Sequence, residues 1–264
     1  MDLIFLKLGG SLITDKTRPY TPRPDKLALL SQEIASVLRR DPGLRMVLGH
    51  GSGSFGHAAA SKYNTRQGVS KHAAWLGFAE VWYQASALNR IVMEALHAAG
   101  LPAMTFSPAA SVTARDGKVH HWDLYPIRVA LENGLLPVIH GDVVMDEVRG
   151  GTILSTEDLF SYLSQQLHPK RILLAGLEAG VWADFPVKAH LLEEMTTGNF
   201  SQYASSLGAA KGADVTGGML AKVTEMLSLV EQIPGLEVLI FSGEQPGKLT
   251  LALQGGSPGT RLHR

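Results

Sequence analysis

Three lysines lie close to glycine-rich turns, a combination typical of sites that bind a phosphate chain. Lys7 precedes the run Gly9-Gly10-Ser11, Lys222 follows the pair Gly217-Gly218, and Lys16 lies in the polar segment beyond the first turn. Glycine lets backbone amides approach an anion closely, and an ammonium group neutralises the charge of that anion. Taken singly, a lysine can also be a solvated charge that snorkels to the surface. Together the three predict a site for phosphate groups.

A longer glycine-rich segment, HGSGSFGH over residues 50–57, follows a short apolar run and precedes an alanine-rich segment. A strand that feeds a glycine turn and then a helix presents unsatisfied amides to an anion, and Ser52, Gly53 and His57 add polar or open positions there. The same glycines match a dinucleotide-binding fingerprint. That fingerprint needs an acid after the next strand, whereas Glu80 lies inside a long helical pattern. We therefore favour a phosphate site, with a turn that binds nothing as the alternative.

The remaining motifs narrow the chemistry further. Asp158 belongs to the segment STED over residues 155–158, where an acid at a helix start is explained by the helix dipole alone. The chain has no GxxxxGK[ST] phosphate loop, no protein-kinase motif set, no HExxH zinc motif and no nucleophile elbow. Lysines, glycine turns, a histidine and an acid remain. These suit phosphoryl transfer, in which positioning and charge neutralisation provide most of the catalysis.

Composition and charge exclude several classes of function. The 264 residues can bury a sizeable core as one large α/β domain or as two lobes. Lys+Arg and Asp+Glu balance at 24 each, so no net field favours nucleic acid or an anionic membrane. Without cysteine, disulfides, thiolate nucleophiles and cysteine zinc sites are excluded. The apolar N-terminal stretch is brief and contains Lys7, which indicates a first strand and not a signal peptide. We expect a cytoplasmic enzyme.

Strand and helix patterns alternate along the chain, which is typical of a doubly wound α/β sheet with ligands at the carboxyl ends of its strands. A hairpin is expected at Asp116-Gly117, and a small excursion or a hairpin is expected over 143–153. Trp75, Phe78 and Trp82 share one helix face, which predicts core packing or, alternatively, the wall of an apolar pocket. The strands are expected at 3–8, 45–48, 102–106, 136–140, 171–175 and 237–242, and the main helices at 24–40, 70–99, 123–133 and 159–167.

Four motifs occur in order over nearly the whole chain: KLGGS from Lys7, the 50–57 segment, STED, and GGMLAK ending at Lys222. Together they resemble the amino-acid kinase superfamily and, within it, the isopentenyl phosphate kinases. The resemblance implies an α/β fold, a three-layer αβα sandwich around a mainly parallel open sheet, as a single domain over 1–264. Residues to about 150 would bind the phosphoryl acceptor and residues from about 151 the nucleotide.

The same resemblance implies the reaction and its participants. ATP with Mg²⁺ would phosphorylate a small-molecule acceptor, isopentenyl phosphate, by direct in-line transfer. The metal would be carried mainly by the nucleotide, and no protein ligand is assigned to it. A homodimer is implied, without a nucleic-acid or membrane partner.

Roles follow from the resemblance position by position. Asp158 would orient Lys7 and Lys222, and His57 would hydrogen-bond the phosphate of the acceptor. The catalytic residues would be Lys7, Lys16, His57, Asp158 and Lys222. The nucleotide would be bound by Lys7, Gly9, Gly10, Ser11, Gly53, Trp182, Gly218 and Lys222. The acceptor would be bound by Ser52, Gly53, His57 and Thr156.

The chain departs from the family pattern in three places, at Thr156, at Ser52 and in the segment from Leu177 to Trp182. Thr156 and Ser52 stand where glycine is common, and Leu177 and Trp182 stand where an aspartate and a tyrosine are common near the nucleotide base. Two alternatives therefore stay open. One is a kinase of this fold for fosfomycin, a nucleotide or acetylglutamate, and the other is a nucleotide-sensing module without turnover.

Overall fold

The computed structural model describes residues 2–207 and 218–264, with only the backbone of His57, Ala58 and Ser61. The strands are β1 (Asp2–Leu8), β2 (Leu44–His50), β3 (Ala103–Thr105), β4 (Val112–Arg115), β5 (Lys118–Trp122), β6 (Leu136–His140), β7 (Asp142–Asp146), β8 (Gly150–Leu154), β9 (Arg171–Gly176), β10 (Glu194–Thr196), β11 (Glu237–Ser242) and β12 (Gly259–His263). The α-helices are α1 (Gly10–Ile13), α2 (Pro24–Arg40), α3 (Gly53–Tyr63), α4 (His72–Ala98), α5 (Pro108–Ser111), α6 (Tyr125–Glu132), α7 (Thr156–Leu167), α8 (Phe200–Tyr203), α9 (Gly218–Gln232) and α10 (Lys248–Leu253).

The main sheet has eight strands in the order β10-β12-β11-β9-β1-β2-β6-β3. The apolar β1 lies in its middle and pairs in parallel with both β2 and β9, as expected for a strand without a polar face. Among the described strands of this sheet, only β11 and β12 pair in antiparallel fashion, because a short connection through α10 returns the chain beside β11. The predicted mainly parallel open sheet is confirmed.

Helices cover both faces of this sheet and give the predicted three layers. Side chains alternate along β1, so that Leu3 and Phe5 pack with α7 and α9, whereas Ile4, Leu6 and Leu8 pack with α2, α4 and α10. Lys7 continues the series of Leu3 and Phe5. Strand alternation therefore points its side chain towards the layer that contains α7 and α9.

A second sheet of four strands, in the order β5-β4-β7-β8, contains both predicted hairpins. Asp116 and Gly117 form the β4–β5 turn, and Asp146 fixes it by accepting hydrogen bonds from the amides of both residues, at 3.1 and 2.7 Å. A small apolar cluster that includes Phe78, Val81 and Val143 joins this sheet to α3 and α4. The second sheet therefore forms one side of the region in which residues 50–57 lie.

Some boundaries differ from the predictions. Helix α3 begins at Gly53, inside the segment expected to be a glycine turn, and α4 begins at His72 after Lys71, without a side-chain cap from Ser70. Strand β10 and helix α8 have three and four residues, too few for a periodic pattern to be recognised. Among the described helices, none is long and apolar enough to cross a membrane.

Candidate active site

Two glycine turns meet at the carboxyl ends of β1 and β2. A Cβ atom on Gly10 would lie 2.6 Å from the Cα of Gly53, and one on Gly51 would lie 2.8 Å from the amide nitrogen of Gly10. The Gly9 amide donates to the carbonyl of Ala175 at 2.8 Å, which ties the first turn to β9 as well. Backbone thus packs on backbone, and side chains are excluded from the place where the three strands end.

The start of α3 is partly satisfied by the protein itself. Gly53 has a positive φ of 50°, a conformation that glycine adopts without strain. The Ser54 amide donates to Oγ1 of Thr14 at 2.9 Å, and the amides of Phe55 and Gly56 donate to the carbonyl of Ser52 at 3.1 Å. The backbone N–H groups left without a partner at the start of α3 are therefore expected at Ser52 and Gly53, one turn earlier than the sequence pattern indicates.

A cavity of about 460 Å³ opens above these turns, and its lining extends from β9 and β11 to α4 and β8. It brings together residues that the sequence analysis drew from five separate stretches of chain. Those that line it are Lys7, Gly9, Gly10, Ser11, Lys16, Ser52, Gly53, Thr156, Trp182, Gly218 and Lys222. The sequence prediction that these positions share one cleft agrees with this placement, while their individual contacts with ligands stay predictions.

Lys7 forms an ion pair with Glu157, a buried residue that also lines the cavity. Burial alone would raise the pKa of Glu157, but the positive charges of Lys7 and Lys222 lower it below its usual value. The carboxylate is therefore ionised at neutral pH. Its negative charge attracts two ammonium groups, that of Lys7 from β1, which it contacts, and that of Lys222 from α9.

Asp158 does not make the contact with Lys7 that the resemblance implies. Its Oδ2 accepts a hydrogen bond from the Ser155 amide at 2.6 Å, and Oγ of Ser155 accepts from the Asp158 amide at 3.0 Å, which is a capping box. The same carboxylate lies 3.3 Å from Nη2 of Arg66. The carboxylate that pairs with Lys7 is thus Glu157 and not Asp158, while the role predicted for Asp158 towards Lys222 stays a prediction.

A signal for this distinction exists in the sequence. With Ser155 as the N-cap, the third helical residue is Asp158, and an acid at that position turns back to the N-cap amide. Glu157, one residue earlier, takes no part in this cap, so its side chain can face the neighbouring layer. Arg66, in the short 3-10 turn Thr65–Gln67, also lines the cavity, and no sequence pattern marks it.

Thr156 and His57, the other two residues predicted to bind the acceptor, differ in what the structure describes of them. Thr156 is buried, and its hydroxyl donates to the carbonyl of His50 at 2.7 Å, so that it joins α7 to β2 while its backbone borders the cavity. His57 lies in α3, but its side chain is outside the described residues. The hydrogen bond predicted from His57 to the acceptor phosphate stays a prediction.

The far end of the cavity is lined by Leu177, Trp182 and Phe185. Nε1 of Trp182 donates to Glu178 at 3.0 Å, and Nζ of Lys188 donates to the other oxygen of the same carboxylate at 2.6 Å. The indole is therefore held in place by a hydrogen bond. Apolar and aromatic surface of this kind suits a planar base.

Comparison with known proteins identifies the family of this chain. A sequence profile described as "Amino acid kinase family" matches residues 2–242. The chain is 36% identical to an isopentenyl phosphate kinase of Methanothermobacter thermautotrophicus and 31% identical to one of Methanocaldococcus jannaschii, with 98% of each chain covered. A solved structure titled "X-ray structures of isopentenyl phosphate kinase" superposes with a TM-score of 0.82 at 31% identity, covering 98% of this chain and 99% of that one.

The profile match extends over most of the chain, from β1 to the end of β11. It includes the strands whose ends form the cleft and the helices that carry Glu157 and Lys222. The chain therefore belongs to the amino acid kinase family, and it is similar over nearly its whole length to isopentenyl phosphate kinases.

Proposed function

We propose that this kinase transfers the γ-phosphoryl group of ATP to isopentenyl phosphate and so forms isopentenyl diphosphate, an isoprenoid precursor. The observation that carries the proposal is the cleft itself, in which Lys7 and Lys222 surround Glu157 beside two glycine turns packed backbone on backbone. Ammonium groups beside turns that carry no bulky side chains can take the charge of two phosphate groups brought end to end. The relatives named above support this choice of acceptor.

Transfer here needs positioning and not proton abstraction. The second pKa of a phosphate monoester is about 6, so the acceptor is largely dianionic at neutral pH and can attack phosphorus directly. Lys7, Lys16 and Lys222 offset the charge that grows on the transferring group. Glu157 keeps Lys7 and Lys222 aligned, and His57 would orient the acceptor.

The two ends of the cavity suit different ligands. Ala60, Val81, Ala85 and Ile153 line the end beside α3, α4 and β8, where an apolar tail can be buried. The end with Trp182 suits the base of the nucleotide. We therefore assign acceptor binding to residues up to about 150 and nucleotide binding mainly to residues after about 151.

Mg²⁺ would enter with ATP and would neutralise charge on its phosphates. Among the described residues, no group of three or more His, Asp or Glu side chains could hold a metal ion. Of the carboxylates that line the cleft, Glu157 is already paired with Lys7, and Glu178 accepts hydrogen bonds from Trp182 and Lys188. No metal ligand is assigned to the protein.

We also propose a homodimer and a cytoplasmic location. Leu76 and Tyr83 lie seven residues apart on α4, so they share one helix face, and they are 61% and 64% exposed. A second copy of the chain could cover this face. Sedimentation of the protein and of a Leu76→Glu, Tyr83→Glu double variant tests this assembly, because the double variant should be monomeric.

ADP release tests the reaction directly. Isopentenyl phosphate, dimethylallyl phosphate, fosfomycin, UMP and N-acetylglutamate are offered with ATP and Mg²⁺, and the product is identified by phosphorus NMR. We expect the highest kcat/KM with isopentenyl phosphate and a diphosphate signal in the product. A preference for another acceptor would favour another kinase of this fold, and absence of ADP with every acceptor would favour a nucleotide-sensing module.

A further inference from the structure

Two neighbouring carboxylates at the start of α7 each hold one cation at the same cleft. Glu157 pairs with Lys7, and Asp158 lies 3.3 Å from Nη2 of Arg66. The first pair belongs to the lysine cluster described above. The second pair has no role in that cluster, although Arg66 lines the cavity as well.

The backbone of Arg66 is fixed from the side of the second sheet. Its carbonyl accepts a hydrogen bond from Oγ1 of Thr152 at 3.0 Å and another from Nη1 of Arg149 at 3.5 Å. The preceding residue, Thr65, is buried. Arg66 therefore projects from an anchored turn, and its guanidinium reaches across the cleft towards α7.

The guanidinium retains unused hydrogen-bonding capacity. An arginine offers five N–H donors, whereas the contact with Asp158 is a single one at 3.3 Å. Its Nη1 is buried and has no hydrogen-bond partner among the described residues, although the side chain as a whole is 32% exposed. A buried donor without a partner is costly, and a ligand oxygen in the cleft would remove that cost.

The position of Arg66 indicates which ligand that is. The cavity near its turn is lined by Ala60 and Ile153, from α3 and β8, which is the end assigned to the acceptor. A cation does not stabilise an apolar tail, but it does stabilise a dianionic head group. Guanidinium also matches phosphate oxygens as a planar fork, which a lysine does not.

We infer that Arg66 is a specificity-determining residue that binds the phosphate of the acceptor, with Asp158 holding the guanidinium ready when the cleft is empty. This inference rests on the proposed function, because it requires a phosphate monoester as the acceptor. Arg66 and His57 would then contact the acceptor head from different elements. A carboxylate acceptor, with one negative charge, would use this site poorly.

Direct binding and kinetics of Arg66→Gln and Arg66→Lys test the inference. For Arg66→Gln we expect the calorimetric Kd and the KM for isopentenyl phosphate to rise about 10- to 100-fold, the size expected for one lost charged hydrogen bond. The KM for ATP should stay within about twofold. Arg66→Lys should recover only part of the affinity, because it keeps the charge and loses the fork.

Arg90→Gln is the matched control, since Arg90 forms an exposed ion pair with Glu94 on α4, 2.9 Å long, and does not line the cavity. It should leave both KM values unchanged. If Arg66 only braces the fold, Arg66→Gln will lower Tm or affect both KM values equally, and the inference is overturned. Absence of ADP release by the unmodified protein with isopentenyl phosphate would instead reject the proposed function, whatever the variants do.

Discussion

At the scale of single residues, the cleft depends on two adjacent acids that make different contacts. Asp158 satisfies the start of α7 and contacts Arg66, whereas Glu157 is buried between the charges of Lys7 and Lys222. A buried carboxylate beside two ammonium groups lowers their mutual repulsion and fixes their directions. Glu157 is therefore a positioning residue, which acts on phosphoryl transfer through the lysines.

Glu157→Gln keeps the shape of the side chain and removes its charge. We expect kcat to fall on the order of 10²-fold, as for the loss of one preorganised electrostatic group, with a smaller change in the KM for the acceptor. Thermal stability should also fall, because Lys7 keeps a buried charge without its partner. Steady-state kinetics and thermal unfolding followed by circular dichroism measure both effects.

Two further variants serve as controls for Glu157→Gln. Glu157→Asp retains the charge on a side chain one methylene shorter and should recover part of kcat. Glu94→Gln removes an exposed carboxylate of α4 and should change neither quantity. An unchanged kcat in Glu157→Gln would contradict the positioning role.

At the scale of elements, the site depends on the close approach of two turns. The turn after β1 and the turn after β2 touch through backbone atoms, and each is fixed to a further element. Gly9 bonds to β9, and Thr14, beyond α1, accepts from the first turn of α3. The relative position of the two ligands in the cleft therefore follows from contacts between elements and not from flexible side chains.

Gly10→Ala tests this contact, because the added Cβ would lie 2.6 Å from the Cα of Gly53. Backbone cannot rotate away as a side chain can, so the two turns must separate, and misplacement of reacting groups by about 1 Å costs on the order of 10² in rate. Gly198→Ala is the control, since its Cβ would meet only Oγ1 of Thr196 at an ordinary 3.6 Å. If Gly10→Ala keeps half of the original kcat/KM or more, the two turns do not pack as described.

At the scale of the whole molecule, negative charge is concentrated where α7 and α9 pack together. The pKa of Glu225 is raised to about 7, mainly by burial and in addition by the charges of Asp158 and Glu157, while a hydrogen bond from Ser161 at 2.7 Å opposes the shift. Lys7 also opposes it. The folded protein therefore binds more protons at Glu225 than the unfolded chain does between about pH 4.5 and pH 7.

This difference gives a pH dependence of stability with a defined sign. A raised pKa of a carboxyl group favours folding at low pH, so the contribution of Glu225 to the free energy of unfolding falls as the pH rises through that interval. Glu225→Gln should abolish the fall and still accept from Ser161. Between pH 4.5 and pH 8, the free energy of unfolding of the variant should rise by on the order of 2–3 kcal/mol relative to that of the unmodified protein. Urea unfolding at both pH values measures this gain, and parallel curves for the two proteins would contradict it.

The local pattern of the sequence determined the elements and much of the cleft. Alternation and helical periodicity identified β1, β6, β11 and α2, and strand alternation puts Lys7 on the face that meets α7. Glycine runs marked both turns, because a missing side chain is visible in the sequence whatever lies opposite. Parallel strands then bring their carboxyl ends, and hence Lys7 and the 50–57 segment, to one edge.

Tertiary structure alone decided which side chains meet there. Arg66 and Asp158 are 92 residues apart, and nothing near Arg66 in the chain distinguishes it from a surface cation. The ion pair of Lys7 with Glu157 likewise depends on strand order, which sets β1 beneath α7, and on the residue at which that helix begins. Periodicity is a local property, whereas these contacts arise only when distant segments pack, and their energies depend on the burial that packing creates.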